Sequence, residues 1–127
     1  MAGGIYASMR YSDARMAIDW LERVFGLQRH VVHDGPDGTI AHAELRSGDG
    51  IVMLGSARKD DNHRRVGQGW AYVVVEDLDA HYQHAKAEGA EIANEPMRED
   101  HGSFYGAHDL EGNLWSFGTY QPDATSV

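Results

Sequence analysis

From Asp13 to Phe25 the apolar positions Ala14, Ala17, Ile18, Leu21, Val24 and Phe25 recur at three- and four-residue spacing, which puts them on one face of a helix. Ser12 or Asp13 is placed to cap its opening amides, and Gly26 to end it in a left-handed conformation. A weaker version returns from Asp77 to Glu88, with Leu78, Tyr82 and Ala85 along one stripe, Asp77 as cap and Gly89 as stop. Each helical stretch follows a run of strand character, Ile5 to Tyr11 and Trp70 to Val75, and precedes three shorter runs divided by turn residues. After the first helix these are Leu27 to His33, Thr39 to Arg46 and Ile51 to Gly55, separated by Asp34-Gly35-Pro36-Asp37-Gly38 and Ser47-Gly48-Asp49-Gly50. After the second they are Ala90 to Glu95, a loop around Pro96, a run near Phe104 to Ala107, the turn Asp109-Leu110-Glu111-Gly112-Asn113, and Leu114 to Tyr120. Strand–helix–strand–strand–strand is thus spelled twice, with the caps Asp13 and Asp77 64 positions apart.

The stretch Ser56 to Gly69, carrying Arg58, Lys59, Asp60, Asp61, Arg64 and Arg65, reads as a solvated connector. A basic clamp for an anion is the competing reading, and Asp60 and Asp61 partly cancel it. A chain of 127 residues is the size of one domain, here with a first module at about 4–56, a connector at about 57–68 and a second module at about 69–120. Asp and Glu outnumber Lys and Arg by 20 to 11, so nucleic acid and anionic membrane surfaces are repelled while a cationic small molecule is attracted. The lack of cysteine removes disulfides, thiolate metal sites and cysteine nucleophiles. With no basic, apolar leader and no run of roughly 18 apolar residues, the expected location is the cytoplasm.

Ser12-Asp13, Ala17-Ile18-Asp19-Trp20-Leu21 and Phe25-Gly26 in the first half, with Val75-Glu76-Asp77, Gly89-Ala90 and Asp109-Leu110-Glu111-Gly112-Asn113-Leu114-Trp115 in the second, form a layout that resembles the vicinal oxygen chelate superfamily. That group contains glyoxalase I, extradiol dioxygenases and bleomycin-resistance proteins. The family usually has proline where this chain has Leu110. The resemblance covers nearly the whole chain. It implies an α+β fold of two βαβββ modules, curled into an incompletely closed eight-stranded barrel with the helices outside, commonly with a homodimer partner.

Strand alternation then sorts the side chains. Ile5, Ala7 and Met9 pack beneath a helix and leave Tyr6, Ser8 and Arg10 for the cavity. Ala43 and Leu45 leave His42 and Glu44, while Ala71, Val73 and Val75 leave Trp70, Tyr72 and Val74. Trp115 and Phe117 leave Leu114, Ser116 and Gly118, and Met53 is the central cavity residue of the fourth strand. In the superfamily's metalloenzymes His, Glu or Gln ligands come from the first, fourth, fifth and eighth strands. Matching the helix openings and the last turn puts Tyr6, Met53, Trp70 and Ser116 at those positions. A phenol, a thioether, an indole N–H donor and a hydroxyl are a poor set for a hard cation, so the expectation is no metal and no cofactor.

The eight histidines add little at this level. His30 and His33 fall on opposite strand faces, and His81 and His84 read as solvated helix surface; His63 and His101 show no partner, and the orientation of His108 stays open. His42 and Glu44 share a face and could act as acid and base or hold a relocated metal; a hydrogen-bonded polar pair is the plainer reading. No serine has a hydrolase setting, and neither Gly48-x-Gly50 nor Gly67-x-Gly69 completes a phosphate loop. The resulting expectation is a metal-independent binder of a small organic ligand, cationic or aromatic, similar to bleomycin-resistance proteins that sequester a drug or antibiotic. Tyr6, Trp70 and Tyr72 would stack, and Ser8, Arg10, His42, Glu44, Met53 and Ser116 would line the rest of the site. One rival is a lyase, isomerase or dioxygenase working through His42 and Glu44, with or without a relocated metal. Another is an interaction module whose cavity is filled by its own side chains.

Overall fold

The computed structural model describes residues 2–59 and 65–125. The first unit runs β1 (Ala7–Tyr11), α1 (Ala14–Phe25), β2 (Gln28–Asp34), β3 (Ile40–Ser47) and β4 (Gly50–Ser56), and its sheet has the order β1-β4-β3-β2. The second runs β5 (Trp70–Val74), α2 (Leu78–Ala87), β6 (Glu91–Glu99), β7 (Gly102–His108) and β8 (Leu114–Gly118), in the order β5-β8-β7-β6. β1 pairs in parallel with β4, matching Ser8 to Met53, and β5 pairs in parallel with β8, matching Tyr72 to Ser116. The repeat seen in the sequence is therefore kept in the register of these two strand pairs. Both sheets remain open, since β1 and β5 each pair on one side only.

The expected caps form. Asp13 Oδ1 accepts from the Met16 amide at 3.0 Å, Asp77 Oδ1 accepts from the Ala80 amide at 3.0 Å, and Gly26 closes α1 at φ 76°, a left-handed conformation open to glycine. Two boundaries differ from expectation. Ile5 lies before the β1–β4 pairing, which starts at Ala7 with Val52; Ile5 is fully exposed and Ala7 is exposed too, so of the three residues expected under the helix only Met9 packs there. β6 continues through Pro96, where a loop was expected. It is an edge strand with register shifts on both sides of Asn94, so the missing proline N–H breaks no regular ladder.

One apolar core lies on the helix-bearing faces of both sheets. Met9, Tyr11, Leu45 and Leu54 enter it from the first sheet, and Tyr105, Trp115 and Phe117 from the second. Phe25, at the end of α1, reaches across to Phe117 and Trp115, with ring centroids 4.8 and 5.7 Å away. Among the described residues, three polar latches bind the units together around this core, beside an ion pair of Arg23 Nη1 with Glu88 Oε1 at 3.1 Å. The buried Asp109 accepts from Tyr11 Oη at 2.5 Å and Trp115 Nε1 at 2.9 Å. Glu111 receives the Ser12 and Asp13 amides at 2.6 and 2.8 Å, so the second unit supplies acceptors to the opening turn of α1. The third latch is a pair of histidines. His81 Nε2 donates to the Phe25 carbonyl at 2.8 Å, and His84 Nε2 donates to that of Arg23 at 2.8 Å, satisfying carbonyls that the end of α1 leaves open. Both are thus inter-unit clamps: His81 is half-buried rather than solvated surface, while His84 makes its contact from an exposed position, as expected. Helical periodicity on α2 alone could not show that the end of α1 packs against it.

Candidate functional site

With the helix-side residues packed away, the opposite face of each sheet stands open. On the first unit this face carries Ser8 and Arg10 from β1, Met53 from β4 and His42 and Glu44 from β3, all oriented as alternation requires. Glu44 faces Met53 across the β3–β4 ladder, and Met53 faces Ser8 across the next. His42 Nε2 and Glu44 Oε2 stand 2.9 Å apart, and the ring of His33 lies nearly parallel to that of His42 at 6.2 Å. The Arg10 guanidinium lies over Gly55, where a Cβ would come within 2.8 Å of Nη1. Ser8 and Arg10 line a polar cavity of about 330 Å³ at the junction of the units, together with Arg65, Gln68, Gly69 and Asn113.

The open face of the second unit is aromatic. Trp70 is 71% exposed and Tyr72 42% exposed, yet neither ring is loose. Trp70 Nε1 donates to Ser116 Oγ at 3.0 Å, and Tyr72 Oη donates to the Tyr120 carbonyl at 2.6 Å. Partial burial raises the Tyr72 phenol above its ordinary pKa, keeping it a donor. Its ring lies over Gly118, where a Cβ would stand 2.6 Å from Oη. Trp70, Tyr72 and Ser116 line a cavity of about 240 Å³ with Phe104, Tyr120 and Glu99.

The nine residues singled out from the sequence do not converge on one place. Trp70, Tyr72 and Ser116 share one cavity, and Ser8 and Arg10 share another. His42, Glu44 and Met53 lie on the first open face but line neither. Tyr6 precedes β1, half exposed, with its ring over Gly4. Sequence reasoning missed Glu99, Phe104 and Tyr120. Phe104 alternates with the buried Tyr105 and Ala107 and was legible as an open-face residue; Glu99 and Tyr120 lie near strand ends, which alternation does not place.

The β1–β4 and β5–β8 registers support the matching of Tyr6 with Trp70 and of Met53 with Ser116 as equivalent positions of the repeat. Those four side chains do not fit a divalent ion. None is an imidazole or carboxylate, the indole can only donate, and the Ser116 oxygen already accepts that indole N–H. Among the described residues, no group of three or more His, Asp or Glu side chains is gathered to hold one elsewhere. The expected connector residues Asp60, Asp61 and Arg64, and His63, lie outside the described residues; Arg58, Lys59 and Arg65 are exposed. No described helix is long and apolar enough to cross a membrane.

Comparison with curated proteins finds no match. Among solved structures, TioX from Micromonospora sp. ML1 is similar at 31% identity and a TM-score of 0.78, over 94% of this chain and 100% of that one. TnmS3, an antibiotic binding protein from Streptomyces sp. CB03234, shares the fold at 17% identity and a TM-score of 0.75, over 97% and 98% of the two chains. So does lactoylglutathione lyase from Agrobacterium tumefaciens, at 20% identity and a TM-score of 0.70, over 93% of each. The family model for the Glyoxalase/Bleomycin resistance protein/Dioxygenase superfamily matches residues 5–117. With that match spanning both repeated units, the chain belongs to the Glyoxalase/Bleomycin resistance protein/Dioxygenase superfamily.

Proposed function

We propose that this protein binds a small, partly aromatic organic molecule without the help of a metal, and that the open face of the second unit is the principal contact. The observation that carries this reading is the state of Trp70 and Tyr72: both rings are exposed to solvent and both are held by hydrogen bonds. Rings fixed before the ligand arrives lose little freedom on binding, and each stacking contact adds roughly 0.5–1.5 kcal/mol beyond area burial. The shared fold of TnmS3, described as an antibiotic binding protein, agrees with this use of the scaffold. A homodimer completes the reading. A second copy laid over the aromatic face would bring up the first unit's Ser8, Arg10, His42, Glu44 and Met53 as the opposite wall, with Tyr6 at its rim.

The test is a titration of planar antibiotics followed by tryptophan fluorescence, with sedimentation equilibrium to count subunits. Trp70→Ala and Tyr72→Ala should each weaken a detected ligand about tenfold. Unchanged affinity in both variants overturns the reading. A second reading is favoured by the 2.9 Å contact between His42 and Glu44. With Nε2 donating to the carboxylate, Nδ1 is left to accept a proton, as a general base of a lyase or isomerase would. Turnover of the bound compound that His42→Ala abolishes would establish it.

A further inference from the structure

The cavity of the second unit holds one charged wall, and its sign narrows the class of ligand. Glu99, at the end of β6, lines the same space as Trp70, Tyr72, Phe104 and Tyr120, and among the described residues no lysine or arginine lines it. The main donors of the aromatic wall are already engaged: the Trp70 indole N–H is given to Ser116, and the Tyr72 hydroxyl to the Tyr120 carbonyl. The rings therefore offer a ligand their π faces, which are electron-rich and attract cations. A carboxylate can only accept hydrogen bonds and carries the complementary charge. His101, Ser103 and Ser116 are the remaining polar side chains of the lining, and none brings a permanent positive charge.

We infer that this cavity selects planar organic cations, in which a ring nitrogen is quaternary or protonated, with Glu99 as counter-charge and Trp70 and Tyr72 as the platform. The inference rests on the binding reading above and adds the class of ligand to it. Size agrees with a compact ring system. About 240 Å³ falls below the roughly 300–1,000 Å³ of drug-sized sites, so the space beside Glu99 suits the ring-bearing end of a ligand, while Trp70 and Tyr72 also line a separate, larger space of about 820 Å³ with Ala7, Ala71 and Val73. The excess of 20 acidic over 11 basic residues favours the approach of the same cation.

Three probes of one shape separate the alternatives: N-methylquinolinium (cation), quinoline (neutral at neutral pH) and 2-naphthoate (anion), titrated calorimetrically into the full chain. The cation should bind about tenfold tighter than quinoline, and 2-naphthoate most weakly. Glu99 is exposed, so Glu99→Gln keeps the fold; it should cut the cation's advantage over quinoline to about threefold or less. Trp70→Ala should weaken both. If quinoline binds and Trp70→Ala weakens it, yet the cation has no advantage or keeps it in Glu99→Gln, the charge inference fails and the binding reading stands. If no probe binds, both fail.

Discussion

Asp109→Asn changes one buried atom and should cost far more than its size implies. Asp109 Oδ1 accepts the Glu111 and Asn113 amides at 2.9 and 3.1 Å, and Oδ2 accepts Tyr11 Oη, Trp115 Nε1 and Asn113 Nδ2 at 2.5, 2.9 and 3.0 Å. Burial, reinforced by the adjacent Asp109, pushes the Tyr11 phenol far above its usual pKa and keeps it a donor. In the variant, keeping the oxygen toward the two backbone amides turns the new NH₂ toward three donors. Tyr11 can rotate its hydroxyl to accept. Trp115 cannot, because an indole has only an N–H. Asn113 could flip its amide, but its Oδ1 already accepts the Gly69 N–H at 2.7 Å, which the flip would abandon. Two donors are therefore stranded, at about 1–3 kcal/mol each, for a total of about 4 kcal/mol. For 127 residues, an unfolding entropy of about 2.1 cal/mol/K per residue makes 1 kcal/mol worth about 4 °C. Thermal unfolding followed by circular dichroism, at matched protein concentration, should show Tm lowered by about 15 °C. Tyr11→Phe, which removes one donor and strands none, should lose only about 4 °C. A melt of Asp109→Asn within 4 °C of the unsubstituted protein would refute the view that this carboxylate ties the units together.

Glu111→Ala removes the acceptor of the Ser12 and Asp13 amides at an exposed site, and should lower Tm by about 4 °C in the same assay. His81 contributes to the acid response. Burial above all, against the favourable Phe25 carbonyl and with His84 nearby, lowers its folded pKa below the ordinary 6.5, so the unfolded chain takes up a proton first. Its contribution to stability is complete above pH 6.5 and is lost as pH falls toward and through that lowered value. His81 Nδ1 accepts from Tyr105 Oη at 2.6 Å and the ring packs 4.3 Å from Phe117, so the neutral form is the one this setting satisfies. The Tm gap between the unsubstituted protein and His81→Gln should accordingly shrink between pH 7.5 and 5; a gap independent of pH would count against the assignment. Gly118→Ala drives a methyl against Tyr72 and within 3.0 Å of the Ser103 carbonyl, so it should cost about 1–3 kcal/mol by thermal melt and weaken any ligand of the aromatic cavity.

Much of the architecture was legible in one dimension. The periods of the apolar positions and the paired caps Asp13 and Asp77 marked both helices and the repeat, because helix faces and helix ends are local problems solved within a few residues. Alternation also placed Ser8, Arg10, His42, Glu44, Trp70, Tyr72 and Ser116 on the open faces, since a period of two leaves a strand residue only two sides. Tertiary structure decided which of these meet. It divided them between a polar face and an aromatic one, and joined Glu99, Phe104 and Tyr120 to Trp70 and Tyr72. It also turned His81, His84, Asp109 and Glu111 into latches between units. Each of those contacts joins residues far apart in the chain, and they form only when two separately legible units pack against each other; the pattern within either unit carries no record of that packing.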